Sequence, residues 1–244
     1  MSYSINMQVI HTINKNKDIK MVYTMIKSNN PSGNWNRAQR MGINRDLFQK
    51  ISKSDNFQNV RNDIANLYDE KYLKDKQQLI SKKKEFLKEW NKINDLFKQE
   101  TENVVGLKWK HPTYKVIVSL FHPGVSNVFG NTVYLWIYDE WDTHLRITAH
   151  ELLMTHIWQY FFKNFPHQEI FDNWNKYWSV NEITTTFILG IEQKLNNLWT
   201  ERMKGYENFL QNYPQLAKNR DLLANEYNNR KSFKEFIDHA LSLF

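Results

Sequence analysis

Residues 147–156, ITAHELLMTH, set a histidine and a glutamate side by side in an apolar run. An imidazole can hold a metal ion, and an adjacent carboxylate can act as general base toward a metal-bound water. On a helix turning about 100° per residue, Leu153, Met154, Ile157 and Phe161 lie within about 60° of His150, so His150 faces inward. Glu151 is about 100° away, at the edge of that face. The slot one turn on from His150, about 40° round, suits a second ligand. That slot holds Met154, and a thioether is a poor ligand for zinc. The next histidine, His156, lies about 240° round the helix from His150. A π-bulge absorbs one extra residue, and this spacing needs two, so His156 can join His150 only on a distorted or broken helix.

A second feature lies downstream, in YWSVNEITTTFILGIE. Glu182 is the only charged residue between Lys176 and Glu192. The run reads as a buried helix, and a lone buried carboxylate is costly unless it is paired, protonated or bound to metal. Other histidines are weaker candidates as ligands. His122 lies in the Pro-Gly loop and His144 six residues before His150. His167 beside Pro166 reads as a helix-end residue, and His11, His111 and His239 have no context that singles them out. Tyr177 and Tyr160 are the aromatics best placed to offer a hydroxyl to an oxyanion, although aromatics at helical spacing usually form core.

These residues need elements to position them. From Lys71 to about Glu102 the spacing of Phe86, Trp90, Ile93 and Phe97 predicts one long helix. Helices broken near SKSDN precede it, over 44–69. Residues 5–27 admit either a hairpin or short helices, and NNPSGN reads as a linker-like turn. Alternation over YKVIVSLF and the run VYLWIY, 133–138, predict two strands joined by a Gly-containing loop, hence a small antiparallel sheet. Helices follow over about 143–163 and 174–203. Ser232 with Glu235 predicts a capping box for the last one.

Composition fits a mainly helical α+β protein. Apolar residues are 41% of the 244, Gly and Pro number 7 and 5, and Cys is absent. That excludes a disulfide framework and a thiolate metal site. The net charge of +7 could attract nucleic acid or acidic partners. The lysines are spread along the chain, however, with only Lys82, Lys83 and Lys84 as a short run, which reads as a solvated surface. No signal peptide and no membrane-length apolar run is read, so a cytoplasmic protein without membrane association is expected.

His-Glu-Leu-Leu on a helix preceded by a strand, then Trp-x-x-Asn-Glu-Ile at 178–183, resembles the gluzincin-type zinc metallopeptidases. More closely, it is similar to small bacterial zincin-type proteins that carry HELLH followed by a W-x-x-S-E-I-like segment. EWNKINDLFKQE, YKVIVSLF, PGVSNVFGNTVYLWI and SFKEFI fall in the matching order, so the resemblance covers about residues 85–244. It implies a zincin-like domain over 81–244 after an N-terminal extension, 1–80. It implies zinc held by His150 and Glu182, with Glu151 as general base. It also implies a peptide or protein substrate lying along strand 133–138. The family's second histidine falls on Met154, which leaves His156 as the substitute ligand to test. Three functions follow as expectations: a zinc-dependent metallopeptidase-like enzyme, an inactive zincin-fold binding protein, or a basic helical module for nucleic acid or protein.

Overall fold

The computed structural model describes residues 7–27, 31–121, 125–126, 130–138, 144–200 and 214–244. The chain opens with β1 (Gln8–Thr12) and α1 (Lys15–Lys27), so the first apolar stretch is a strand and the second a helix. α2 (Pro31–Arg40) and α3 (Arg45–Lys53) follow. Then comes α4 (Arg61–Val105), 45 residues and about 68 Å long. The break near SKSDN falls where expected, between α3 and α4, but α4 starts ten residues before Lys71. Its inward face carries Ile64, Tyr68, Leu79, Phe86, Trp90, Ile93 and Phe97, all buried. Solvent covers the polar faces of a helix this long.

α4 stops at Gly106, which takes φ +68° and donates its N–H to the Glu102 carbonyl at 2.9 Å. Only the missing Cβ makes that left-handed turn cheap. A Cβ there would meet no atom within 4 Å, so the strain is purely local. Gly106→Ala is expected to cost about 1 kcal/mol in a denaturant melt; an unchanged midpoint would refute that account.

β2 (Thr113–Ser119), β3 (Val125–Ser126) and β4 (Thr132–Trp136) complete a sheet of order β1-β2-β4-β3. β1, β2 and β4 are parallel, with His11 opposite Val116 and Val118 opposite Leu135. The expected antiparallel pairing of the two main strands is therefore wrong. The reason lies in the connection. The chain reverses twice between Ser119 and Thr132, once into β3 and once out of it. β3 is antiparallel to β4 and lies at the sheet edge, with β4 between it and β2. The antiparallel neighbours are β3 and β4. Along β2, Tyr114 and Val116 through Ser119 are buried and only Lys115 is exposed. Both faces of β2 are thus largely covered, as parallel strands require.

α5 (His144–Asn164), α6 (His167–Asp172), α7 (Trp174–Ile191) and α8 (Gln193–Asn196) follow, then α9 (Pro214–Asn229) and α10 (Phe233–Ser242). The single helix expected over 174–203 is divided at Glu192. α10 begins as its sequence predicts: the Ser232 hydroxyl accepts the Glu235 N–H at 3.1 Å. The Glu235 carboxylate reaches back one residue further than the usual box, to the Lys231 N–H at 2.8 Å.

α5 packs against α4, α7, β3 and β4. One core runs from Met7 to Leu241 and includes β1, α1, α4, α5 and α7. Residue 80, the expected boundary of an N-terminal extension, falls inside α4, and β1 supplies a strand of the sheet. Among the described residues no helix is long and apolar enough to cross a membrane.

Candidate metal centre

α5 and α7 lie side by side, and their contact brings His150 and Glu182 together. His150 is 2% exposed and Glu182 8%. His150 Nε2 lies 3.1 Å from Glu182 Oε2. That oxygen nevertheless makes no hydrogen bond to any described residue, so the two atoms are close without being aligned as donor and acceptor. Two atoms each about 2.05 Å from one tetrahedral ion would sit about 3.3 Å apart. The observed separation therefore suits two ligands of one ion as well as it suits a direct ion pair.

The register that creates this pair is set one residue before Glu182. Asn181 is fully buried, and its Nδ2 donates to the Met154 carbonyl at 3.0 Å. Its Oδ1 accepts from the Thr185 hydroxyl at 3.2 Å. An amide buried on α7 thus grips the backbone of α5 one turn beyond His150. Sequence reading passed over Asn181, and the available signal was a second polar residue, beside Glu182, in the same buried run. Glu151, the expected general base, follows His150 in the chain and is partly exposed, and its carbonyl accepts the Thr155 hydroxyl at 3.0 Å.

Met154 is 4% exposed. It occupies the slot the motif assigns to a second imidazole, and its chemistry does not suit zinc. His156 does not replace it. α5 is an unbroken α-helix from His144 to Asn164, so the distortion such ligation needs is missing. His156 points elsewhere: it is fully buried and stacks on Trp109, with centroids 4.1 Å apart and planes 15° apart. Burial lowers it to about 4, so it is neutral at pH 7. His144 is also buried, against Phe86. Burial, with His11 and Lys82 nearby, lowers it to about 3. His122 lies outside the described residues. Among the described residues, no group of three His, Cys, Asp or Glu side chains could hold a metal ion.

The two candidate substrate tyrosines serve the core. Tyr177 is fully buried and packs on Phe161 and Phe165. Its hydroxyl donates to Glu169 Oε1 at 2.7 Å, and burial together with that carboxylate raises it. A hydroxyl committed in this way is not presented to an oxyanion. Tyr160 is 7% exposed and sets its ring edge-on to Phe233 of α10, at 5.0 Å. Arg146 escaped the sequence reading. It sits fully buried one turn before His150, with its guanidinium 5.1 Å from the Trp199 ring. A fully buried arginine in a helix is unusual.

No protein-family model, curated protein or solved structure matches this chain.

Proposed function

We propose that this chain is a zincin-like protein of metallopeptidase type with an altered metal centre, and that it works by binding peptide rather than cutting it. The observation that carries the reading is the buried His150–Glu182 contact at 3.1 Å. It joins the His-Glu motif of α5 to the isolated glutamate of α7. Glu151 adjoins it. α5 also packs against β3 and β4; β4, which holds most of the 133–138 run expected to take the substrate, lies between β2 and β3, so the sheet edge beside the helix is β3 and not that strand. An extended peptide can add to such an edge through main-chain hydrogen bonds.

The donor set decides between binding and hydrolysis. Zinc, when bound, polarises a peptide carbonyl and acidifies its water. His150 and Glu182 are of a type that can hold it, and Glu151, next to His150 in the chain, would be the general base. Catalytic zinc uses three protein ligands, and Met154 stands where the third should be. The residues present therefore do not fit a complete hydrolytic centre, and no reaction step is assigned.

Elemental analysis of the untagged protein, incubated with zinc and then desalted, tests this. The expected content is well below one zinc per chain for the parent protein and no higher for His150→Ala. About one per chain in the parent, lost in His150→Ala, would overturn the binding reading. It would mean that a donor outside the described residues completes the centre, and the hydrolytic reading would take its place.

A further inference from the structure

The far side of α5 carries a second feature, independent of the metal-type pair. A cavity of about 540 Å³ opens between residues 107–111, just past the end of α4, and the last turns of α5 with α6. Gln159, on its wall, is nine residues beyond His150, which places it about 13 Å along the helix and half a turn round. The volume falls in the range of small-molecule sites, about 300–1,000 Å³.

The floor is apolar. Leu107 and Phe162 are partly buried, and Phe171 is 50% exposed, one of the few large apolar side chains so placed. The rim is cationic. Lys108, Lys110 and Lys163 all line the cavity, and no acidic residue does among the described residues. Lys108 is engaged, since it pairs with Glu102 at 2.7 Å. Lys110 and Lys163 are exposed and form no ion pair among the described residues. His111 and Gln159 add neutral polar groups. Burial, reinforced by Lys110, lowers His111, and Gln159 Nε2 donates to the Tyr114 hydroxyl at 2.9 Å. Two exposed lysines thus stand beside an apolar floor on one cavity wall. Together they match a ligand with an apolar body and one anionic end.

We propose that this cavity binds a small organic anion. Its apolar body lies on Leu107, Phe162 and Phe171, and its carboxylate or phosphate head lies between Lys110 and Lys163. The two head groups share this chemistry, and titration distinguishes them.

Isothermal titration of the full chain at low salt, with sodium octanoate and octyl phosphate as probes, tests the proposal. Octan-1-ol and inorganic phosphate serve as the apolar-only and anion-only probes. At least one of the two amphipathic anions is expected to bind once per chain, at least about tenfold tighter than octan-1-ol or inorganic phosphate. The tighter of the two identifies the head group. Lys163→Glu and Phe171→Ser, both at exposed positions, are each expected to weaken binding at least about tenfold with the circular dichroism unchanged. Lys20→Glu, on the exposed side of α1, is expected to change nothing. The proposal fails if neither anion binds in the millimolar range, or if octan-1-ol or inorganic phosphate binds as tightly. It also fails if Lys163→Glu binds like the parent, or if Lys20→Glu weakens binding as much as Lys163→Glu does.

Discussion

Met154→His is expected to convert the candidate centre into one that holds zinc at one ion per chain, at least about a hundredfold tighter than the parent protein. The argument is geometric. Position 154 is one turn beyond His150, about 40° round the same face, and is buried. An imidazole there joins His150 Nε2 and Glu182 Oε2, already 3.1 Å apart, to give three donors. Asn181 holds the α5 backbone at Met154 through the carbonyl, not the side chain, so the substitution leaves that clamp in place. Without metal the variant buries an imidazole where a thioether was, at a cost of about 1–3 kcal/mol. With zinc at a thousandfold excess over its dissociation constant the variant recovers about 4 kcal/mol. The melting temperature should therefore fall in chelator and rise with zinc in the variant, while the parent barely responds. Zinc analysis of the variant near zero, with no zinc-dependent melting shift, would show that His150 and Glu182 are a structural ion pair and not a ligand pair.

Acid is expected to unfold this protein between about pH 4.5 and pH 3.5, with buried neutral histidines rather than carboxylates alone driving the loss. Three histidines are buried in neutral form. His11 and His156 are lowered to about 4 and His144 to about 3, each mainly by burial. The unfolded chain binds their protons near pH 6.5 and the folded chain does not, so their stabilisation is complete above pH 6.5 and is lost as pH falls. Each contributes about 1.4 kcal/mol per pH unit across that window. Asp18 opposes them. It is fully buried, its carboxylate accepts the Leu120 N–H at 3.2 Å, and burial raises it to about 7. Its folded form takes up a proton more readily, so its contribution favours the fold at low pH and is lost as pH rises toward 7. Three histidines against one aspartate leave a net loss of about 2.7 kcal/mol per pH unit below 6.5. Two to three units then remove most of the 5–15 kcal/mol typical of a folded domain. Circular dichroism against pH measures this directly, and His144→Leu should flatten the acid limb by removing one of the three protons. A cooperative fold that persists at pH 3.5 would contradict the argument.

The residue types that make up the candidate centre are legible in the sequence because they are local. The His150-Glu151 adjacency, the thioether at Met154 and the lone charge of Glu182 need only residue types and the period of a helix. The strand YKVIVSLF, the α4 stripe and the Ser232 cap were legible for the same reason. What the sequence left open depended on which elements meet. Strand direction is set by the path of the chain between strands, and two reversals inside 13 residues made β2 and β4 parallel where one turn had suggested a hairpin. The 3.1 Å approach of His150 to Glu182 depends on the register of α5 against α7, which the buried Asn181 fixes across a gap of 27 residues in sequence. His156 could be weighed as a ligand only until the unbroken α5 and the Trp109 stack placed it on the far side. The cavity with Lys110 and Lys163 joins a post-helix segment to a helix some fifty residues later, and no periodicity links them. Local pattern determined which groups could act. Packing of distant segments decided which of them stand within reach of one another, because burial and register are properties of contacts between segments and not of any one of them.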